Sequence, residues 1–233
     1  MKQKELWMMV VILVCSLWLQ TSCTKEDVPA LSEEQLFEQE MNAALADARV
    51  YGPITQALAE EVAAQFDGRV TELNYKTRES ATRKCRTDNC RPYDLKDLAR
   101  TGIAAGWDST EIKPVISYLV TTATERGLFK RYKHQTSDYG YWGDLVNLKF
   151  ERLQTEIQVK TYGMFYASFP ADIVQSVLGD SIYTIIHTKS GVEPGLLHQY
   201  YEIIRADTSS ATTVGHYKKL TTDYLTLCEH ARN

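Results

Sequence analysis

The sequence lacks the short motifs that most readily identify an enzyme. It contains no glycine-rich loop that could cradle a phosphate, no G-x-S-x-G turn for a nucleophile, and no H-E-x-x-H or H-x-H pattern for a metal. An internal repeat and paired carboxylates at a characteristic spacing are also missing. We therefore predict a non-enzymatic protein that has no catalytic residues and binds neither a metal nor a cofactor.

A basic excess is missing as well. The chain has 26 lysine and arginine residues against 30 aspartate and glutamate residues, which gives a net charge of −4. Domains that bind nucleic acid are normally basic, so the composition argues against nucleic acid as a partner. Residues 76–100 are locally basic, and this stretch either faces an anion or forms a solvated loop and helix face. Its eight basic residues are Lys76, Arg78, Arg83, Lys84, Arg86, Arg91, Lys96 and Arg100.

The apolar run near the N-terminus is too short to cross a membrane as a helix. Leu6–Leu19 comprises 14 residues, whereas a spanning helix needs roughly 20. The run follows Lys2 and Lys4, and a short apolar segment behind a positively charged start is typical of a cleavable signal peptide. We therefore predict that residues 1–22 are removed and take no part in the fold.

A short polar segment leads from this run into Cys23. Residues 1–27 resemble the lipoprotein signal of bacteria, in the loose form found in the Bacteroidota, although Gln20 stands where the usual pattern has leucine. The resemblance implies that Cys23 is acylated, palmitate included, and becomes the mature N-terminus. Residues 23–31 would then be a tether, and the protein would be anchored in the cell envelope at the outer membrane, with the membrane as a partner.

An exported protein meets an oxidising compartment, where cysteines pair readily. Cys85 and Cys90 flank the short segment R-T-D-N, in which Asp88 and Asn89 favour a turn. We predict a disulfide between these two cysteines, with free thiols or a zinc site completed by histidines as the alternatives. Cys228 is left over and is expected to be buried.

The helical periodicity predicts a largely helical protein. Ser32 and Gln35 form a capping box that opens the first helix, and Gly52 with Pro53 separates it from a second helix that ends at Gly68. Apolar stripes indicate further helices over residues 94–105, 110–126, 171–178, 194–204 and 210–230.

Strands are expected mainly in the middle of the chain, where alternation of apolar and polar residues replaces the helical period. The candidate strands are 69–77, 128–132, 155–162, 164–169 and 181–187, and residues 76–92 are expected to be a surface loop. The predicted fold class is α+β, predominantly helical, with a small and mainly antiparallel sheet in the middle-to-C-terminal part. Residues 32–233 would form one globular domain, with a possible helical part 32–127 and a mixed part 128–233.

The segment Leu95–His134 resembles a winged helix-turn-helix. It contains a predicted helix, a turn at Ala105–Trp107, a second helix and then the basic sequence GLFKRYKH. The resemblance implies a DNA-binding fold, but the predicted export places the protein apart from DNA. Nucleic acid therefore stays outside the predicted partners.

The loop SDYGYWGD is the candidate binding surface. Tyr139, Tyr141 and Trp142 are flanked by Asp138 and Asp144. Flat rings beside carboxylates suit a sugar or a peptide, because rings stack on apolar faces and acids accept hydrogen bonds. The alternative is that the rings pin a turn to the core.

The sequence thus predicts an envelope lipoprotein that acts as a binding or accessory component in secretion, conjugation, immunity or surface assembly, with a protein or glycan partner. The alternative is a lipid-anchored hydrolase in which Cys85 or Cys90 is the nucleophile and His187 or His198 the base, as in papain-like hydrolases. The basic surroundings of these cysteines would lower the thiol pKa.

Overall fold

A computed structural model describes residues 31–206 and 210–232. The predicted signal peptide and Cys23 lie outside these residues, so the lipoprotein signal and the envelope location stay predictions. Within the described part of the chain, compact packing begins at Phe37. None of the helices there combines the length and the apolar character that a membrane span requires.

The described residues form seven helices and six strands, which confirms the α+β, mostly helical fold class. The helices are α1 (Glu33–Gln65), α2 (Arg78–Asp88), α3 (Ser109–Glu125), α4 (Tyr162–Ser168), α5 (Ala171–Ser190), α6 (Leu196–Ala206) and α7 (Ala211–Glu229). The strands are β1 (Arg69–Val70), β2 (Asn74–Tyr75), β3 (Ala99–Ala104), β4 (Phe129–Thr136), β5 (Trp142–Phe150) and β6 (Leu153–Lys160).

The strands form one mixed sheet in the order β1-β3-β6-β5-β4, and β2 also pairs with β3. Its described pairs are antiparallel except β3 with β6, which is parallel. Strand residues that lie opposite each other share a face of the sheet. Arg100 therefore shares a face with Glu156, and Gly102 shares it with Gln158. This face is polar.

The opposite face of the sheet is apolar and packs on α1 and α3. Ile103, Ile157 and Val159 point into this core and are fully buried, together with Leu58 of α1 and Leu119 of α3. α3 begins where predicted because the carboxylate of its N-cap residue, Asp108, accepts the backbone N–H groups of Thr110 and Glu111. Its buried stripe is Ile112, Val115, Leu119 and Ala123.

Two further cores complete the described part. Helices α4 to α7 bury Phe165, Tyr166 and Cys228 in one of them. The other lies between α1 and α2 and includes Met41 and Cys85. The polar face of the sheet is left between these two helical groups.

Several predicted elements were wrong. Residues 76–92 are not a loop, because Thr77 caps α2 through the N–H of Ser80 and Ala81 and Cys85, one turn apart, are buried against α1. The helix predicted over 94–105 is instead the strand β3, since pairing with its neighbouring strands overrides its local helical pattern. Because the segment predicted as the first helix contains this strand, the predicted winged helix-turn-helix is wrong.

One glycine was a second source of error. α1 continues through Gly52 and Pro53, and Gly52 serves close packing, since an added Cβ would lie 2.9 Å from the ring of Tyr75. Gly179, by contrast, ends the first helical segment of α5 as predicted, because its backbone leaves helical geometry at φ 75° and ψ 163°, and a second helical segment follows it. The predicted strand 181–187 is therefore helical, as is 164–169 for the most part, in α4.

Other predictions are confirmed. Ser32 and Gln35 exchange both hydrogen bonds of a capping box. Strands β4 and β6 and helices α6 and α7 occupy the expected segments. Cys228 is buried as expected. The domain bounds, including the division after residue 127, stay predictions.

Candidate active site

A cleft of about 1380 Å³ opens over the polar face of the sheet. Its floor is formed by β3 and β6, which contribute Arg100, Gly102, Gln158 and Lys160. One wall is the segment around β2 together with α2, and the other is formed by α4, α5 and α6. The parallel pairing of β3 with β6 is what brings the floor residues together.

The first wall is basic. Lys76, Arg83 and Lys84 line it, next to Arg100 of the floor. Asp97 orders two of these cations, since its carboxylate lies 2.8 Å from Lys76 Nζ and 3.3 Å from Lys84 Nζ. Burial alone would raise the pKa of Asp97, but the hydrogen bonds and charges of the two lysines outweigh it and hold that pKa below its ordinary value.

The basic stretch 76–100 is thus divided between two roles. Four of its cations line the cleft, as the anion-facing interpretation requires. Arg78 and Arg91 instead form ion pairs with Glu38 and Glu40 of α1. These two pairs lie at the protein surface and fasten α2 and the segment behind it to α1.

Lys160 is the most unusual group of the floor. Its side chain is buried, and its Nζ donates to Ser168 Oγ at 3.2 Å. The ring centroids of Phe169 and Tyr141 lie 5.1 and 5.5 Å from the same nitrogen. Burial, and then the charge of Arg100, lower the pKa of Lys160 to about 8, while Glu156 acts in the opposite direction. A buried ammonium held by a hydroxyl and two rings is well suited to receive an anion.

Glu156 is a buried carboxylate on the same face of β6 as Gln158 and Lys160. Its Oε1 accepts from Gln158 Nε2 at 2.7 Å, and Arg100 lies opposite it in the register. Burial and the charge of Glu156 raise the pKa of Tyr141 to about 12. This face of the sheet therefore combines two cations, Arg100 and Lys160, with one buried carboxylate.

The candidate binding surface is only partly assembled as predicted. Tyr139 and Tyr141 line the cleft, and the Tyr139 ring lies 6.4 Å from that of Tyr201 in α6. Trp142 instead packs against the two cores at the sheet and lines a smaller cavity of about 360 Å³. Both tyrosines also pack against the helical core, so they pin the turn and face the cleft at once.

The two flanking carboxylates are engaged elsewhere. Asp138 forms an ion pair with Lys218 of α7. Asp144 is buried and accepts from Tyr132 Oη at 2.5 Å and pairs with His134 Nδ1 at 2.9 Å. The rings in the cleft therefore act without these acids.

The cysteines are not placed for catalysis. Cys85 lies on the buried side of α2, where burial, and then its contact with Cys90, raise the pKa of its thiol to about 12. This is the reverse of the lowering expected from its basic surroundings. His187 is engaged by Tyr166 Oη at 2.9 Å, whereas His198 lines the cleft. The predicted cysteine nucleophile is therefore wrong.

The disulfide stays a prediction. Cys85 and Cys90 carry free thiols in this structure, and Cys90 N–H donates to the Cys85 carbonyl at 3.0 Å. In the part of the chain that the structure describes, no group of three or more His, Cys, Asp or Glu residues is placed to hold a metal ion.

Most of the floor was missed from the sequence. The signal for it was the alternation of β6, which places Glu156, Gln158 and Lys160 on one side of a strand. On an edge strand such a row would face solvent, but β6 is flanked on both sides, by β3 and β5. Burying charged side chains on an interior strand destabilises the fold unless they are paired or hydrogen-bonded. A row of such side chains is therefore a candidate functional site.

Comparisons with known proteins identify relatives of this chain. No protein-family model matches the sequence. The (p)ppApp synthetase toxin Tas1 of Pseudomonas aeruginosa (strain UCBPP-PA14) is 32% identical over 150 residues, which cover 63% of this chain and 33% of the toxin. The chain thus spans about a third of the length of this relative.

Two solved structures are similar to this chain. The structure of the complex between the Type VI effector Tas1 and its immunity protein matches with a TM-score of 0.66 and 26% identity, over 82% of this chain and 96% of the matched chain. A lower similarity, with a TM-score of 0.45 and 15% identity, is to small alarmone synthetase 1 from Bacillus subtilis, over 78% of this chain and 93% of that one.

These similarities overturn the function predicted from the sequence. A non-enzymatic envelope accessory lipoprotein is the wrong interpretation, because the relative is a synthetase toxin. The Cys/His hydrolase is wrong for the same reason. The predicted partners, a membrane reached through a lipid and an envelope protein or glycan, are wrong too, since the matched structure pairs an effector with its immunity protein.

Proposed function

We propose that this chain is the synthetase part of a toxin that makes nucleotides of the (p)ppApp type. The sequence and fold similarity to the Tas1 toxin support this activity. The cleft supports it independently, because it is large, open and lined by cations and aromatic rings.

The product class defines the reaction. A (p)ppApp nucleotide is an adenosine that carries phosphate groups at two positions of its ribose. In the proposed step, a ribose hydroxyl oxygen of the acceptor attacks the β-phosphorus of a nucleoside triphosphate. The bond from that phosphorus to the oxygen bridging to the α-phosphorus breaks, and a nucleoside monophosphate leaves with the electron pair. The hydroxyl proton passes to a base, for which Glu156, on the same face of β6 as Lys160, is the candidate.

One observation carries the proposal: five cations converge on one cleft. They come from α2, the segment beside it and the two central strands, and they are Lys76, Arg83, Lys84, Arg100 and Lys160. Two polyphosphate chains repel each other strongly, so bringing them together requires fixed positive charge at the point of transfer. The burial of Lys160 keeps its charge unscreened by water and strengthens that contribution.

The tyrosines supply the other half of nucleotide recognition. Tyr139, Tyr141 and Tyr201 present rings along the cleft, and a purine stacks on such rings with a gain of about 1–3 kcal/mol per base. The sequence alone predicted a sugar or a peptide as the ligand of Tyr139 and Tyr141, together with Trp142. Beside cations the two tyrosines suit a nucleotide better.

A protein partner is part of the proposal. By analogy with the effector of the matched complex, the partner is a cognate immunity protein. Expression of the chain should arrest bacterial growth, and co-expression of the cognate immunity protein should restore growth and co-purify with the chain. Growth arrest that persists when Lys160→Met abolishes nucleotide synthesis would contradict the proposal that nucleotide synthesis causes the arrest.

The activity is tested with purified protein, ATP labelled at its γ-phosphate, and ADP or ATP as acceptor. We expect the label to appear in an adenosine nucleotide heavier by two phosphates, with AMP formed in equal amount, as measured by chromatography and mass spectrometry. Parallel reactions with guanosine acceptors report the base preference.

Two lysine-to-methionine variants distinguish the loss of a cation in the cleft from the loss of a positive charge elsewhere on the protein. Lys160→Met should reduce the rate at least about a hundredfold, the size of effect seen when one fixed transition-state contact is removed. Lys219→Met, at an exposed ion pair on α7, should leave the rate within about twofold of wild type. The proposal fails if the folded wild-type protein forms no such product, or if both variants behave alike.

A further inference from the structure

The C-terminal end of α7 meets the turn that connects β6 to α4. Thr161 lies in this turn, between Lys160 and the first residue of α4, and is fully buried. Its Oγ1 donates to Glu229 Oε1 at 2.5 Å and accepts the N–H of Met164 at 3.2 Å. One hydroxyl therefore caps α4 and binds the last residue of α7.

The two helices touch backbone to backbone at this point. A Cβ on Gly163 would lie 2.5 Å from the carbonyl oxygen of Cys228 and 2.8 Å from the Cα of Glu229. Contacts this short admit only glycine at position 163, so the position of α4 against α7 is fixed. A shift of the end of α7 must therefore be transmitted to α4.

α4 in turn supplies the surroundings of Lys160. Ser168, its last residue, accepts the hydrogen bond from Lys160 Nζ, and Phe169 follows directly with its ring beneath the same nitrogen. The backbone N–H of Phe165 donates to the carbonyl oxygen of Thr161 at 2.9 Å and fixes the first turn of α4 to the end of β6.

We propose that Glu229 is a positioning residue for Lys160. By holding Thr161, it sets the turn after β6 and the helix α4, and these place the Lys160 ammonium on the floor of the cleft. For its kinetic readout the proposal rests on the proposed function. The position of Lys160 can be measured without any activity.

The charges around Glu229 are consistent with a role that depends on hydrogen bonding rather than on charge. Burial raises the pKa of Glu229 to about 7; the hydrogen bonds from Thr161 and from the Met164 N–H, and the charge of His230, lower it, and Asp108 raises it. Arg232, which also lines the small cavity beside Glu229, is engaged by Glu111. Glutamine at position 229 keeps an oxygen for Thr161 and should therefore preserve the arrangement.

The test measures Lys160 directly in the full chain. Amine acetylation at limiting reagent, followed by mass spectrometry of the peptide that contains Lys160, gives its labelling rate as a function of pH. We expect a midpoint near pH 8 in wild type and Glu229→Gln. In Glu229→Ala the midpoint should rise by about one pH unit or more, because the loosened turn admits water.

Kinetics provide the second readout. Glu229→Ala should lower kcat about tenfold, the loss expected for one hydrogen bond, with KM changed less than about twofold because the first wall is untouched. Glu229→Gln should stay within about twofold of wild type, as should Asp223→Ala, an exposed carboxylate of the same helix. If Glu229→Ala does not fold, Thr161→Val and Thr161→Ser replace it, and the hydroxyl should rescue what valine loses.

The outcomes are separable. A wild-type chain without synthetase activity overturns the proposed function and leaves the labelling experiment intact. A labelling profile of Glu229→Ala that coincides with wild type overturns the positioning role. So does a loss in Glu229→Gln as large as that in Glu229→Ala.

Discussion

Replacing Lys160 by methionine should stabilise the protein while abolishing its activity. Below about pH 8 the ammonium is charged in both the folded and the unfolded chain, so the folded state bears the full cost of burying it. Above the ordinary lysine value of 10.5 the amine is neutral in both states and this cost vanishes. The unfolding free energy of wild type should therefore rise, relative to the methionine variant, between these two pH values.

The magnitude follows from the two pKa values. A lysine pKa lowered from 10.5 to about 8 corresponds to about 3 kcal/mol of destabilisation at neutral pH. Methionine gives up the hydrogen bond to Ser168 and the contacts with two rings, which offsets about 1–2 kcal/mol. Ser168 stays satisfied through its bond to the Met164 carbonyl. The expected net gain at pH 7 is about 1–2 kcal/mol.

Urea unfolding at pH 7 and at pH 9.5 measures this prediction, with Lys219→Met as the exposed control. Only the difference between variant and wild type is used, so other groups that titrate at high pH cancel. A methionine variant that is less stable than wild type at pH 7 would refute the reasoning. A gain of the same size at both pH values would show that packing, and not the buried charge, is responsible.

Three further predictions concern other parts of the molecule. Gly163→Ala should destabilise the fold by about 1–3 kcal/mol in urea unfolding because its Cβ meets backbone, whereas Gly215→Ala, a helical position with open space around it, should be neutral or stabilising by up to about 1 kcal/mol. Alkylation of the unfolded, unreduced protein and peptide mass spectrometry should find Cys85 and Cys90 blocked if they are bridged after oxidative folding; two alkylated peptides would contradict the bridge. Asp97→Asn should weaken binding of the nucleoside triphosphate about fivefold to tenfold, since the two lysines that it orders lose their anchor; an unchanged KM would contradict that role. Because the pKa of the Asp97 carboxyl is lowered in the fold, its contribution to stability should be present above the ordinary aspartate pKa and fade as the pH falls through the lowered value, and the asparagine variant should lack this dependence.

The sequence predicted the elements whose signal is local. α3 and α7 have apolar stripes at helical spacing and polar N-caps, Asp108 and Ser210, and both lie where expected. α2 was missed because its buried stripe consists only of Ala81 and Cys85, among charged residues that suit a loop as well as a helix.

The site was missed because it depends on contacts between distant segments. Arg100 lies in a segment with a helical pattern, and nothing nearby in the sequence indicates that it pairs with Glu156. The alternation of Glu156, Gln158 and Lys160 on β6 can be read from the sequence. That these residues form part of a site follows only from the pairing of β6 with β3. The predicted lowering of the Cys85 pKa was wrong for a related reason. The charged residues near Cys85 in the sequence lie outside the core that buries its side chain.

The parallel pair β3–β6 has a consequence for how activity is acquired during folding. Glu156 follows Arg100 by 56 positions, and everything between them must be arranged before the two meet. Contacts of such long range form late, because the entropy of closing the loop is paid before they yield any gain. A partly folded chain therefore has helices and hairpins but no reaction centre. Under the proposed function, nucleotide synthesis would therefore begin only once folding is complete.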